Sequence, residues 1–479
     1  FDALRRAHRV AAVARTAAPK DADVLAYLAR VDVADHAWDL NRGADRDLLA
    51  GRLGESGGGA LAKLREVLQV RPGQARALQG LAAVESALIR RAETAASRGD
   101  FKAANGWLGL ADKVRPGSDT VPDARARLEA MRESHVGDLR DAGLRALQAR
   151  DGIPLARARL DELLRIARPG DPAAAELRQR IDLATYYGLF RPGQAFTDAL
   201  GVAARGPEMV VVPHGAFRMG AEEGDGEDSE RPAHNIRFDR GFAISRTEVT
   251  VGQFRQFVQA TGYEPTATHR GFSLAYDELG GNFVRRSRVG WDSAYDGRRA
   301  GDDLPVVHVS ARDADAYVKW LGERSGQRYH LPSEAQFEYA LRAGGRSLYP
   351  WGDGAPPKGA GNLTGARDRS PSGRQWNNAF AGYGDGYWGP APAGSFAPNA
   401  FGLHDMAGNV SEWVADCWHD GYRRAPTDGD AWVNPGCRTR VVRGGAWASA
   451  PEQTRSAWRA PAGVDTTNAR IGFRVVRDL

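Results

Sequence analysis

Cysteine is nearly absent: the 479 residues hold only Cys417 and Cys437. Two thiols cannot supply a four-ligand zinc site, and their spacing is far from the Cys-x-x-Cys of a thioredoxin-like pair. A lone pair in a loop-rich stretch reads first as a structural disulfide of an oxidising compartment, periplasmic or extracellular, with two separate reduced thiols as the alternative. Long apolar runs are also missing. No stretch reaches eighteen residues, so no membrane span is expected within the chain. The sequence starts at Phe1, so an upstream signal, anchor or tag fits the same reading. Concentrated charge of one sign is missing too. Against 65 basic residues stand 60 acidic ones, and the net +5 is spread through residues 1–200. That is too dilute for the basic stripe a nucleic acid requires, so no nucleic-acid partner is expected.

What is present falls into two textures. Residues 1–200 are rich in Ala, Leu and Arg, which lose little rotamer freedom in a helix. Within them Ala104, Leu108, Ala111 and Pro116 follow Gly99-Asp100-Phe101, and Ala60, Leu64, Val67 and Pro72 repeat the spacing. A looser copy uses Leu160, Leu163 and Pro169. Small residues for close helix contact, larger ones a turn on and a terminating proline are tetratricopeptide-like, though the period is irregular. An array of α-helical hairpins is expected over 1–200, serving as an arm that docks a protein partner. A helical domain that merely packs against the rest is the plainer alternative. Its histidines, His8, His36 and His135, are too far apart to suggest a metal site.

Residues 207–479 turn to Gly, Trp, Pro and Asn. Met209 to Gly220 reads as two short strands around Pro213 and Gly215, and further strands run through Ile236 and Phe238 and through Phe242, Ile244 and Val249. Thr250, Ser310 and Ser333 each precede a helical pattern as N-caps. Their buried faces are Phe254, Phe257 and Val258 in the first and Ala314, Tyr317, Val318 and Leu321 in the second, while Ser333 and Gln336 have capping-box spacing. Beyond Ala340 periodicity fades, and a long irregular segment needs disulfides or metals to hold it.

Three late motifs carry a resemblance: Gly402 to Trp413, Arg440 to Trp447, and Ile471-Gly472-Phe473-Arg474, with Tyr349-Pro350-Trp351-Gly352 upstream. In this order they resemble the formylglycine-generating enzyme (sulfatase-modifying factor) family over about 207–479. The resemblance implies a compact, irregular α/β fold related to C-type lectins, so the whole chain is expected to be α followed by irregular α/β. It also implies two cysteines shortly after the Gly444-Gly445 turn. Ser449 and Thr454 stand at those approximate positions, and no cysteine follows Cys437. Hydroxyls do not hold Cu(I), so no copper is expected and the catalytic set is empty. Related sulfoxide synthases pair this fold with a His-x-x-x-His-x-Glu helical domain, a motif that residues 1–200 lack.

The resemblance further implies calcium, one or two ions. The first site corresponds to Asn362 and Asp385 by side chain with Leu363 and Tyr387 by carbonyl. The second corresponds to Asp405 and Glu412 by side chain with Gly408 and Val410 by carbonyl. Oxygen donors from a flexible loop suit that ion. Trp447, Ser449, Arg455, Trp458 and Arg459 form a candidate ligand-binding set, because Trp and Arg are enriched in binding hot spots. A non-catalytic, calcium-stabilised module for a protein or glycan is therefore expected. The alternatives are a metal-dependent oxidase using residues other than cysteine, a structural subunit of a bacterial envelope or secretion assembly, and a display protein of a diversity-generating retroelement varying over 448–468.

Overall fold

The computed structural model describes residues 2–149, 151–201 and 204–479. Backbone proximity divides the chain into a unit ending at Ile181 and a unit from Asp182 to Leu479.

The first unit is helical: α1 (Asp2–Ala17), α2 (Ala22–Leu49), α3 (Gly59–Val70), α4 (Ala75–Ser97), α5 (Phe101–Val114), α6 (Thr120–Ala146), α7 (Ile153–Ile166) and α8 (Pro172–Tyr187), the last running on past the division. Short helices alternate with long ones from α3 to α7, and from α1 to α7 each packs on its neighbours in sequence. Ala60, Leu64 and Val67 of α3, Ala104, Leu108 and Ala111 of α5, and Leu160 and Leu163 of α7 are all buried. The small residues sit where helices approach closely and the larger ones fill the space between turns. Most of these side chains join one core that ends near Leu128, and those of α7 belong to a smaller one around Leu177 and Ile181.

The second unit begins earlier than the change in composition near 201–207 suggests. Strand β1 (Ala195–Ala199) pairs antiparallel with β2 (Arg205–Val212), so the ladder reaches back before that change. Then follow β3 (Gly215–Met219), β4 (His234–Phe238), β5 (Phe242–Ser245), α9 (Val251–Thr261), α10 (Thr266–Arg270), β6 (Phe272–Asp277), β7 (Asn282–Ser287), α11 (Ala311–Ser325), β8 (Tyr329–His330) and α12 (Glu334–Arg342). After a segment of 68 residues (343–410) free of helix and strand come β9 (Ser411–Cys417), β10 (Thr439–Arg443), β11 (Arg459–Gly463), β12 (Ile471–Gly472) and β13 (Val476–Asp478). One sheet has the order β1-β2-β5-β13-β8 and a second β11-β10-β9-β12, with β3-β4 and β6-β7 as separate hairpins.

Each expected cap is made. Thr250, Ser310 and Ser333 accept from the third helical N–H, and Gln253, Asp313 and Gln336 return a bond to the cap backbone. Phe254, Phe257, Tyr317 and Leu321 enter a core with Trp413 and Phe473, while Val258 packs at its edge. Val249, expected in a strand, lies beyond β5 but is buried and donates its N–H to the Phe473 carbonyl at 2.9 Å. Cys417 and Cys437 form a disulfide that ties the end of β9 to the turn before β10.

Candidate functional site

The connection from β10 to β11 and the irregular segment carry most of the expected residues, mostly in the interior. Gly444 and Gly445 both take positive φ, and a side chain on Gly445 would stand 2.6 Å from the Gln453 carbonyl. This close turn folds 446–454 back on itself. Ser449 is buried, its Oγ accepts from Ala446 N at 2.9 Å, and its carbonyl accepts from Thr364 at 2.6 Å. Thr454 is buried and its hydroxyl donates to the Pro451 carbonyl at 2.8 Å. Among the described residues, neither hydroxyl is bonded to a histidine or a carboxylate that could take its proton.

Of the five candidate ligand residues, four are interior. Trp447 is buried and donates Nε1 to the Ala469 carbonyl at 3.1 Å. Arg455 clasps Glu230 through two bonds of 2.6 and 2.7 Å. Arg459 clasps Glu334 at 2.7 and 2.8 Å, and lies over the rings of Trp418 and Tyr422. Arg443 with Glu338 and Arg474 with Glu412 complete four buried arginine–glutamate pairs. Planar guanidinium forks satisfy carboxylates where water is excluded. These residues therefore hold the sheets to the loops. Trp458 alone of the five is half-exposed.

The two loops expected to hold calcium are neighbours, because Asn362 Nδ2 donates to Asn409 Oδ1 at 3.1 Å and Asn409 N donates to the Asn362 carbonyl at 2.8 Å. In the first, Asp385 already accepts from Leu363 N at 2.8 Å and from Tyr387 N at 2.9 Å, and Asp368 stands beside it. Burial, with the Asp368 charge adding to it, pushes Asp385 up to about 7. This loop is closed by its own hydrogen bonds. The second is different. Asp405 and Asn409 take left-handed backbone, Asp405 Oδ2 accepts from Gly394 N at 2.6 Å, and Asp405 Oδ1 is buried without a partner. Glu248 is a neighbour that the sequence reading missed. Its Oε1 accepts from Asn409 at 3.0 Å, and its Oε2 is likewise buried and unpartnered. Burial first, then the Asp405 charge, pushes its carboxyl well above the usual range. Glu412 gives both oxygens to Arg474 at 2.7 and 2.8 Å, so in this structure it serves that ion pair. Among the described residues no three His, Cys, Asp or Glu side chains form a ready metal cluster. An ion here would also need the Gly408 and Val410 carbonyls, and two orphaned carboxylate oxygens suit it.

Beside the Gly-Gly turn lies an aromatic cluster. Trp447, Tyr276 and Trp388 are buried, and Phe283, Tyr295 and Trp376 form its half-buried rim. Trp376 stacks on Trp388 with centroids 4.0 Å apart. A hollow of about 1250 Å³ lies elsewhere, lined by residues of β3 and β4 together with Arg342, Arg346 and Arg455.

Comparison with known proteins fits this architecture. The sulfatase-modifying factor enzyme 1-like domain matches residues 196–479. A formylglycine-generating enzyme of Thermomonospora curvata is 35% identical over 299 residues, covering 56% of this chain and 93% of that protein. The inactive C-alpha-formylglycine-generating enzyme 2 of Mus musculus is 32% identical over 295 residues, covering 57% and 86%. Among solved structures, PvdO from Pseudomonas aeruginosa is similar at 34% identity and a TM-score of 0.48, over 60% of this chain and all of that one. With the family's domain spanning more than half of its length, the chain belongs to the sulfatase-modifying factor enzyme 1-like family.

Proposed function

We propose that the second unit is a non-catalytic, calcium-stabilised module that binds a protein or glycan ligand, and that the helical unit docks a protein partner. The observation that carries this is the state of Ser449 and Thr454. Both are buried hydroxyls turned into backbone hydrogen bonds, so neither a soft ligand for copper nor a nucleophile is on offer. That a relative at 32% identity bears the name of an inactive enzyme supports the same reading. Calcium belongs at the second loop, where Asp405, Glu248 and the Gly408 and Val410 carbonyls would hold it and its charge would offset the orphaned carboxylates. The Cys417–Cys437 disulfide supports a periplasmic or extracellular location. For the ligand, the half-buried rim of the aromatic cluster offers what the buried Trp447 does not, namely aromatic side chains partly reachable from solvent.

The test is turnover. The protein, supplied with copper, reductant and oxygen, is incubated with a cysteine-containing peptide and the product is read by mass spectrometry. Unchanged peptide is expected. Conversion of the cysteine to an aldehyde would overturn the non-catalytic reading.

A further inference from the structure

The buried arginines of the second unit follow a rule. Arg443, Arg455, Arg459, Arg474 and Arg477 each face a carboxylate within 3.1 Å. A guanidinium withdrawn from water is costly unless an anion meets it. Arg470 is only half-buried and faces no carboxylate among the described residues. Its backbone is fixed, since its N–H donates to Asn468 Oδ1 at 2.8 Å and its carbonyl accepts from Ser411 N at 2.8 Å. The residue is half-buried, and its guanidinium lies 4.7 Å from the centre of the Phe283 ring. Among the described residues it makes no hydrogen bond or ion pair. Burial alone pushes this group down, with no carboxylate near enough to oppose the shift.

The surroundings define a ligand. Phe283 packs edge-on against Trp447 and Tyr276, with centroids 6.0 and 5.7 Å away. Trp376 and Tyr295 lie on the same half-buried rim. A cation over the Phe283 ring, with further half-buried rings on the same cluster, matches an oxyanion carried on a flat apolar body. The oxyanion accepts from the guanidinium fork while the body covers the rings.

We infer that Arg470 and the aromatic rim beside it form a binding site for an aromatic carboxylate. This rests on the reading of the second unit as a binding module and names the chemical class of its ligand. A phosphate ester presents the same oxyanion chemistry, and the test separates the two sources.

Isothermal titration calorimetry on the full chain uses three probes: indole-3-acetate, indole and inorganic phosphate. Indole-3-acetate is expected to bind, with indole and phosphate each about tenfold weaker or more, because a charge-assisted pair and a ring contact each contribute on that order. Arg470→Met is expected to weaken indole-3-acetate about tenfold or more, and Arg470→Lys to lie between, since a lysine gives a point charge without the fork. Arg470→Met is also expected to melt no lower than the natural protein, because it removes an unpaired half-buried charge. That readout separates it from a structural arginine. Equal binding by Arg470→Met, or no binding of any probe to the natural protein, would overturn the site. Phosphate binding as tightly as indole-3-acetate would overturn the aromatic part and point to the other source. Peptide turnover is read separately by mass, so an active oxidase that still bound indole-3-acetate through Arg470 would remove the non-catalytic reading and leave this site standing.

Discussion

At the scale of single residues, the interior of the second unit is governed by charge pairs made over great sequence distances. Glu230 and Arg455 are 225 positions apart, and both are buried. Replacing Arg455 by Met leaves Glu230 buried without a counter-ion. Stability in a denaturant titration is expected to fall by about 3–5 kcal/mol, the usual cost of breaking a buried pair. Asp416 makes a second prediction. Its oxygens accept from Glu334 N at 2.6 Å and Trp432 N at 2.8 Å, and burial, with the Glu334 charge next, pushes its carboxyl up to about 7. A carboxyl raised on folding contributes stability that is present below its ordinary value near 4 and lost as pH rises to 7. The difference in melting temperature between the natural protein and Asp416→Asn is therefore expected to change between pH 4 and 7 and to stay level above about 8. A flat difference across the whole range would contradict the assignment. Residue types were legible in the sequence, but their partners were not. Trp447, Arg455 and Arg459 have the composition of a binding surface, and only the fold shows that Ala469, Glu230 and Glu334 claim them. Glu248 gave no signal at all, since its neighbourhood to Asp405 is created by the long irregular segment.

At the scale of elements, what the sequence determines locally is what it revealed. A capping box acts across three residues, so Thr250, Ser310 and Ser333 announced α9, α11 and α12 without tertiary help. Ser333 also donates to the Gly429 carbonyl at 2.6 Å, tying α12 to a distant loop. Ser333→Ala is expected to cost about 1–3 kcal/mol, the sum of a lost cap and a buried acceptor left bare, measured by thermal or denaturant unfolding. The alternation of small and large residues marked α3, α5 and α7 in the same way. In α5, Leu108→Ala is expected to cost about 2–5 kcal/mol through the cavity it leaves. Strand ends were less legible. Strand β1 is five residues whose place is set by its pairing to β2, and Val249 is buried outside any strand.

At the scale of the whole molecule, the second unit has many buried carboxylates and a long stretch without ladders, an arrangement that uses ion pairs, a disulfide and close glycine turns in place of continuous sheet. The candidate cation loop is one place where this arrangement is incomplete, with Asp405 Oδ1 and Glu248 Oε2 buried and unmatched. Ser449 and Thr454, at the approximate positions where the resemblance implies cysteines, are by contrast bonded to nearby backbone. The measurement that tests this contrast most directly is elemental analysis of the protein purified without chelator or added metal. Calcium near one equivalent with neither copper nor iron is the expected result. Stoichiometric copper or iron would contradict it, and would mean that this scaffold carries redox chemistry on residues other than cysteine.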